Sequence, residues 1–269
     1  MGTALNEVDV PKHECAILGR MLEKTAVISH LEVMEIPNLA SNLTEDEAFE
    51  IKTIAQSLSN WAYIARRLLK LSEAEQITIW NLSCVGKMDI PTSAYIQELV
   101  PSAKFRVVDN ILFVLGNIEP GFANDLAKQI AYNSNIQTIA LGSAGGSVID
   151  ALEAGKMIRA LKLNTTLTAN CYSACPLVFM GGVKRTIWSP YPEIGFHRMY
   201  WSNGVAVAPG DDLYFDISNY VSKMGANERF VLASMFSAEP DKMFVPDGNT
   251  LCNNNVATWV QRLCFGESY

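Results

Sequence analysis

Three short stretches hold the residues able to do chemistry. In "TLTANCYSACPLVFMGG" a single serine, Ser173, stands between Cys171 and Cys175, where a predicted strand gives way to an apolar helix. In "LGSAGGSVIDAL" the adjacent Gly145 and Gly146 join another strand to an amphipathic helix, and in "PEIGFHRM" His197 follows a further strand. A serine becomes a nucleophile when a base takes its proton, and histidine titrates nearest to neutral pH. Acyl transfer also needs N–H donors aimed at a developing oxyanion, and glycines at a strand-to-helix turn leave such groups uncovered. Each residue has a plainer explanation: Ser173 as a helix N-cap, Gly145–Gly146 as a tight turn, His197 as a satisfied core histidine. Their joint occurrence points to acyl transfer. The turn is not a phosphate loop, because the GxxxxGK[ST] pattern is absent.

These residues must be positioned by alternating elements. From about Phe105 the chain reads as a strand or hairpin in "RVVDNILFVLGNI", a helix in "PGFANDLAKQIAYN", a buried strand in "IQTIALGS" and a helix in "VIDALEAGKMIRALK". A strand in "NTTLTANC", a short helix in "SACPLVFMGG" and a strand in "KRTIWS" follow. Such alternation predicts an α/β domain over 105–269, with its ligand sites where strands end and helices begin. The preceding 1–104 reads as a mainly helical region. There Thr44 is the expected N-cap of a long helix whose apolar positions are Phe49, Ile51, Ile54, Ala55, Leu58, Trp61, Ile64 and Leu68. Arg66, Arg67 and Lys70 form its solvated face, a break is expected around Gly86 to Pro91, and another helix from about Thr92.

Composition removes several classes of function. With 49% hydrophobic and 18% charged residues over 269 positions, the chain is globular. Its net charge of −7 argues against nucleic-acid binding, which rests on clustered Lys and Arg. No apolar run is long enough to span a bilayer, and the visible start lacks the basic and apolar regions of a secretory signal. Only three histidines are present (His13, His30 and His197), and none of the six cysteines forms a CxxC pair, so no metal site is expected. Cys15, Cys84, Cys171, Cys175, Cys252 and Cys264 permit three disulfides without demanding them; Cys171 and Cys175 could pair with each other or with Cys252 and Cys264, or stay as buried thiols.

The stretches "ALGSAGGSVIDALEAGKMIRAL", "TLTANCYSACPLVFMGGVKR" and "EIGFHRM" resemble, in order and spacing, the Clp protease proteolytic subunit and its relatives in the ClpP/crotonase superfamily. The nearest likeness is to exported bacterial ClpP-like proteins that share a Cys-x-Ser-Ala-Cys arrangement. The resemblance covers roughly 105–251, departs at Ala144, where proline is usual, and leaves the helical region unexplained. It implies a ClpP/crotonase-like fold of repeated β-α units and a serine peptidase without cofactor or metal. In that scheme Ser173 is the nucleophile and His197 the base, with Asp241 the acid and Asp247 its alternative. The oxyanion donors are Gly145, with Gly146 beside it, and Ala174. The resemblance further implies a peptide or protein substrate, a homo-oligomer, a periplasmic or otherwise exported location and, with it, disulfides. Arg198 is open to a substrate carboxylate, a nearby aspartate or plain surface exposure. Two rival readings remain: a non-catalytic ClpP-like scaffold, and a crotonase-type acyl-CoA enzyme, against which a Ser–His pair counts.

Overall fold

A computed structural model describes residues 9–31, 44–96, 102–188 and 192–264. The chain divides into two compact units, Met1–Glu98 and Leu99–Tyr269. In the first unit the described helices are α1 (Asp9–Met21), α2 (Thr25–Ile28), α3 (Glu45–Leu68) and α4 (Glu73–Ser83). Ser72 starts α4 with a capping box: its hydroxyl accepts the Glu75 N–H, and the Glu75 carboxylate accepts the Ser72 N–H. A disulfide from Cys15 to Cys84 ties α1 to the end of α4.

Two expectations for this unit are revised. In α3 the apolar stripe is buried only at its C-terminal end, at Ile64 and Leu68, whereas Phe49 and Leu58 are exposed. Arg67 is no plain surface cation, since it pairs with the buried Glu14 of α1. The break after α4 lies where it is expected, with Gly86, Met88 and Asp89 at positive φ. The helix expected from Thr92 is a single 3-10 turn, Thr92–Ala94, and its continuation past Ile96 lies outside the described residues.

The second unit has the expected mixed α/β architecture. Its elements are β1 (Lys104–Val108), β2 (Ile111–Leu115), α5 (Phe122–Tyr132), β3 (Thr138–Ser143), α6 (Val148–Ala160), β4 (Asn164–Tyr172), α7 (Cys175–Met180), β5 (Arg185–Ile187), β6 (Ile194–Gly195), α8 (Asp212–Lys223), α9 (Glu228–Phe236), α10 (Gly248–Asn253) and β7 (Trp259–Val260). One sheet orders them β1-β2-β3-β4-β5-β7, with β6 also on β4. The β1–β2 hairpin is antiparallel and the remaining pairs are parallel. Parallel central strands are covered on both faces, which is why β3 reads as a nearly unbroken apolar run and is buried from Ile139 to Ser143. β4 is shared along its length: its start pairs with β5 through Thr165 and Thr166, and its end pairs with β6 through Cys171 and Tyr172. This division places β6, in the stead of β5, beside the C-terminal end of β4, where the candidate site lies.

Candidate active site

Ser173 is the residue at which β4 turns into α7. Its φ is +60°, a left-handed conformation that costs a non-glycine residue about 1–3 kcal/mol and persists only when its surroundings enforce it. Two constraints do so. The Ser173 N–H donates to Gly195 O at 3.0 Å, extending the β4–β6 pairing past the strand end. The Cys171–Cys175 disulfide, with Cα atoms 5.2 Å apart and both residues fully buried, closes a small ring around the serine. All six cysteines are paired, the third bridge being Cys252–Cys264.

The glycine turn packs directly on this serine. Gly145 and Gly146 have φ of +108° and +133°. A Cβ on Gly145 would lie 2.4 Å from Ser173 Cβ and 2.8 Å from its Oγ, and one on Gly146 would lie 2.3 Å from Ile118 O. Only glycine fits either position. The turn is held from outside by Ile118, whose N–H donates to Gly145 O and whose carbonyl accepts the Ser147 N–H. Ser147 then caps α6 by accepting from the Asp150 N–H. Of the three expected oxyanion donors, the Gly145 N–H is engaged with Ser143 Oγ at 3.1 Å. The Gly146 and Ala174 N–H groups have no acceptor among the described residues.

His197 lies two residues beyond Gly195, the residue whose carbonyl receives the Ser173 N–H. The β4–β6 register pairs Tyr172 with Gly195, so the segment that carries His197 continues from the strand beside the serine's own. The imidazole Nδ1 is 2.8 Å from the carbonyl of Arg198. A carbonyl only accepts, so Nδ1 carries the proton and Nε2 is left with its lone pair. Among the described residues Nε2 has no hydrogen-bond partner and is not one of the buried unsatisfied atoms, so it faces space that solvent can reach. Burial of the ring lowers its pKa below the usual 6.5, the Arg198 carbonyl working in the opposite direction. Ser173 Oγ and His197 Nε2 are not hydrogen-bonded to each other here.

The acid is where the geometry departs from expectation. Residues 238–244 run alongside the histidine segment: Phe196 and Phe244 exchange both backbone hydrogen bonds, and the Arg198 N–H donates to Ala238 O. Asp241 sits in the turn closed by the Lys242 N–H on Glu239 O, and it is exposed. Pro240 at the second position suits that turn, which carries the Asp241 carboxylate out to solvent with no hydrogen bond to His197. Asp247 is no substitute, because its carboxylate caps α10 by accepting the Thr250 N–H at 2.7 Å, a bond that lowers its pKa. Arg198 takes the second of its three expected roles in modified form, with Nη1 at 3.2 Å from the Glu239 carboxylate.

Sequence reasoning missed the Arg198 carbonyl, the Ser143 hydroxyl and Tyr200, whose ring stacks on His197 at 5.7 Å between centroids. Of these only Tyr200 left a readable signal, the aromatic pair "YW" just after the histidine. Among the described residues no group of His, Cys, Asp and Glu could hold a metal, and no helix is long and apolar enough to cross a membrane.

No protein-family profile matches the chain, and no curated protein matches it. Among solved structures it is similar to ClpP1 from Listeria monocytogenes, at 17% identity over 56% of this chain and 91% of that one, with a TM-score of 0.44. It is also similar to the ClpP protease catalytic domain from Plasmodium falciparum, at 15% identity over 56% and 84%, with a TM-score of 0.41. A mutant of the 1510-N membrane-bound stomatin-specific protease matches at 16% identity over 58% and 82%, with a TM-score of 0.42.

Proposed function

We propose that the second unit is a serine hydrolase, acting on peptide bonds, with Ser173 as nucleophile and His197 as general base. The observation that carries this reading is the strained Ser173 held against Gly145, on a strand end whose neighbour leads to an imidazole with its Nε2 free. In the proposed reaction Nε2 takes the Ser173 proton as Oγ attacks the substrate carbonyl carbon. The oxyanion is received by the Ala174 N–H together with the glycine turn, where Gly146 is uncommitted and Gly145 must first release Ser143 Oγ. The proton then passes from Nε2 to the leaving amine, and water repeats the sequence on the acyl-enzyme. Peptide as the substrate class is supported by the likeness of the three motifs to ClpP-like peptidases. Assembly as a homo-oligomer and an exported location rest on that likeness alone, although three disulfides suit an oxidising compartment.

The orienting group for His197 is assigned to the Arg198 carbonyl, with Asp241 as the alternative acid. A fluorophosphonate tests the core of the reading: Ser173 Oγ displaces fluoride from phosphorus, and mass spectrometry of the digested chain locates the adduct. Labelling at Ser173, lost in Ser173→Ala and slowed about 10²-fold or more in His197→Ala, is the expected result. An unlabelled Ser173 would overturn it in favour of a non-catalytic scaffold. Release of CoA from acyl-CoA, with no cleavage of peptides, would favour the crotonase-type reading.

A further inference from the structure

The carbonyl that orients His197 belongs to a peptide unit whose other polar groups are bound by three separate segments. The Arg198 N–H donates to Ala238 O at 2.9 Å, and the Met199 carbonyl accepts the Val207 N–H at 2.8 Å. Between them, the Met199 N–H donates to the hydroxyl of Tyr214 at 3.3 Å. The Arg198 carbonyl, on the same peptide as the Met199 N–H, meets His197 Nδ1 at 2.8 Å.

Tyr214 reaches this peptide because of how α8 begins. Asp211 caps the helix by accepting the Leu213 N–H, and Tyr214 falls in the first turn, on the buried face that also carries Ile217 and Val221. Its ring packs on Phe236 with centroids 4.7 Å apart. A phenylalanine would fill the same space, so the core explains the ring and not the hydroxyl. Burial raises the pKa of the phenol, the Met199 N–H and Arg198 working in the opposite direction, so at neutral pH the group is an uncharged hydroxyl.

The N–H and C=O of a trans peptide point in opposite directions. Phenol, peptide and imidazole therefore stand in one row, in which Tyr214 Oη accepts the Met199 N–H and Arg198 O accepts the His197 Nδ1–H. Hydrogen bonds in such a row polarise one another, by about 10–30% per bond. We infer that Tyr214 is a positioning residue for the proposed base, acting through the peptide between Arg198 and Met199 to aim and strengthen the carbonyl that holds Nδ1–H. The phenol keeps its proton throughout, and its oxygen only accepts. The inference rests on the serine-hydrolase reading above and adds a residue to it. Of the charged and titratable groups around the row, Arg198 is paired with Glu239, Asp211 caps α8 and Tyr200 stacks on the imidazole. Asp241 and Lys242 are exposed in the turn that follows Glu239.

Tyr214→Phe removes the hydroxyl and keeps the ring. With fluorophosphonate labelling of Ser173 in the full chain followed against pH, the expected result is a plateau rate about threefold to tenfold lower, the scale of one hydrogen bond, and an acid limb displaced to lower pH. The sign follows from the carbonyl: its bond to Nδ1–H favours the imidazolium, so weakening it lowers the His197 pKa beyond what burial does. A substitution that merely loosened the packing would uncover the ring and move the limb up toward 6.5. Long-range proton–nitrogen NMR of the parent chain gives a reading that needs no folded variant. His197, assigned by the loss of its signals in His197→Gln, should carry its proton on Nδ1 above neutral pH, and Tyr214→Phe should lower the share of that tautomer. A parent ring protonated on Nε2, a Tyr214→Phe chain with rate and limb unchanged, or a limb that moves up would each overturn the role of Tyr214, and with the parent labelled at Ser173 the nucleophile stands. A parent unlabelled there overturns the hydrolase reading and this inference with it.

Discussion

At the scale of single residues the chemistry turns on which atom holds the proton of His197. Because a carbonyl fixes Nδ1 as donor, the ring is in the tautomer a base requires, without any carboxylate. The two ways of orienting the ring predict different pH profiles. A base works only when neutral, and it is neutral above its pKa. Burial lowers that pKa, so kcat/KM should be flat through neutrality and fall with slope one only below pH 6.5. A carboxylate at Nδ1 would instead favour the imidazolium and move the limb above 6.5. Asp241→Asn completes the measurement. With the Arg198 carbonyl as partner, kcat changes by less than about threefold, whereas an acid that stabilised the imidazolium would cost about 10⁴. A loss of that size, with an acid limb above 6.5, would restore Asp241 to the triad. A sequence cannot show this distinction, since the deciding group is a backbone oxygen that every residue possesses.

The elements explain why the serine is presented at all. Periodicity located the strands and helices of the second unit because parallel strands must be apolar and their covering helices amphipathic. Strand ends, where ligand sites gather, were therefore legible, and so were Ser173, Gly145 and His197 as residues beside them. What the pattern could not reveal was the pairing of 238–244 with the histidine segment, because single backbone bridges leave no periodic trace. Nor did α3 obey its stripe at Phe49 and Leu58. The Cys171–Cys175 bridge belongs to the same scale. In the chain-entropy account a disulfide stabilises by closing a loop in the unfolded chain, so the bridge across 4 positions is worth about 2 kcal/mol, against about 4 kcal/mol for Cys15–Cys84 across 69. The Cys171→Ala/Cys175→Ala pair should accordingly lower stability in denaturant by about 2 kcal/mol, yet slow Ser173 labelling at least about tenfold, because the ring that enforces φ +60° is gone. Labelling at the original rate would show that Gly195 and Gly145 suffice to hold the serine.

Across the whole second unit, stability rests on a device as unusual as the site. Two arginines, Arg159 of α6 and Arg185 of β5, lie close enough to repel each other, and Arg185 is 2% exposed. Among the described residues neither meets a carboxylate. Arg159 donates to the carbonyls of Met180, Gly181, Gly182 and Met224. Arg185 donates to those of Val256, Gly182, Met224 and Asn255. These carbonyls end α7, end α8 and follow α10, so the two guanidinium groups satisfy helix ends that would otherwise be buried without donors. Shared acceptors at Gly182 and Met224 knit three helices to the sheet. Burial and the neighbouring Arg159 pull the Arg185 pKa down to about 10, which still leaves it charged throughout the neutral range. A lysine there could not copy the planar fork, since its three donors radiate from one point. Arg185→Lys should therefore cost about 3–5 kcal/mol, comparable to breaking a buried ion pair, and lower the melting temperature by about 10 °C. Calorimetry reads both. An Arg185→Lys chain melting within a degree or two of the parent would show that the carbonyls find other donors. Because α7 begins just after Ser173, the same substitution should also slow labelling of the serine at temperatures well below the melt, linking the clamp at one end of the helix to the nucleophile at the other.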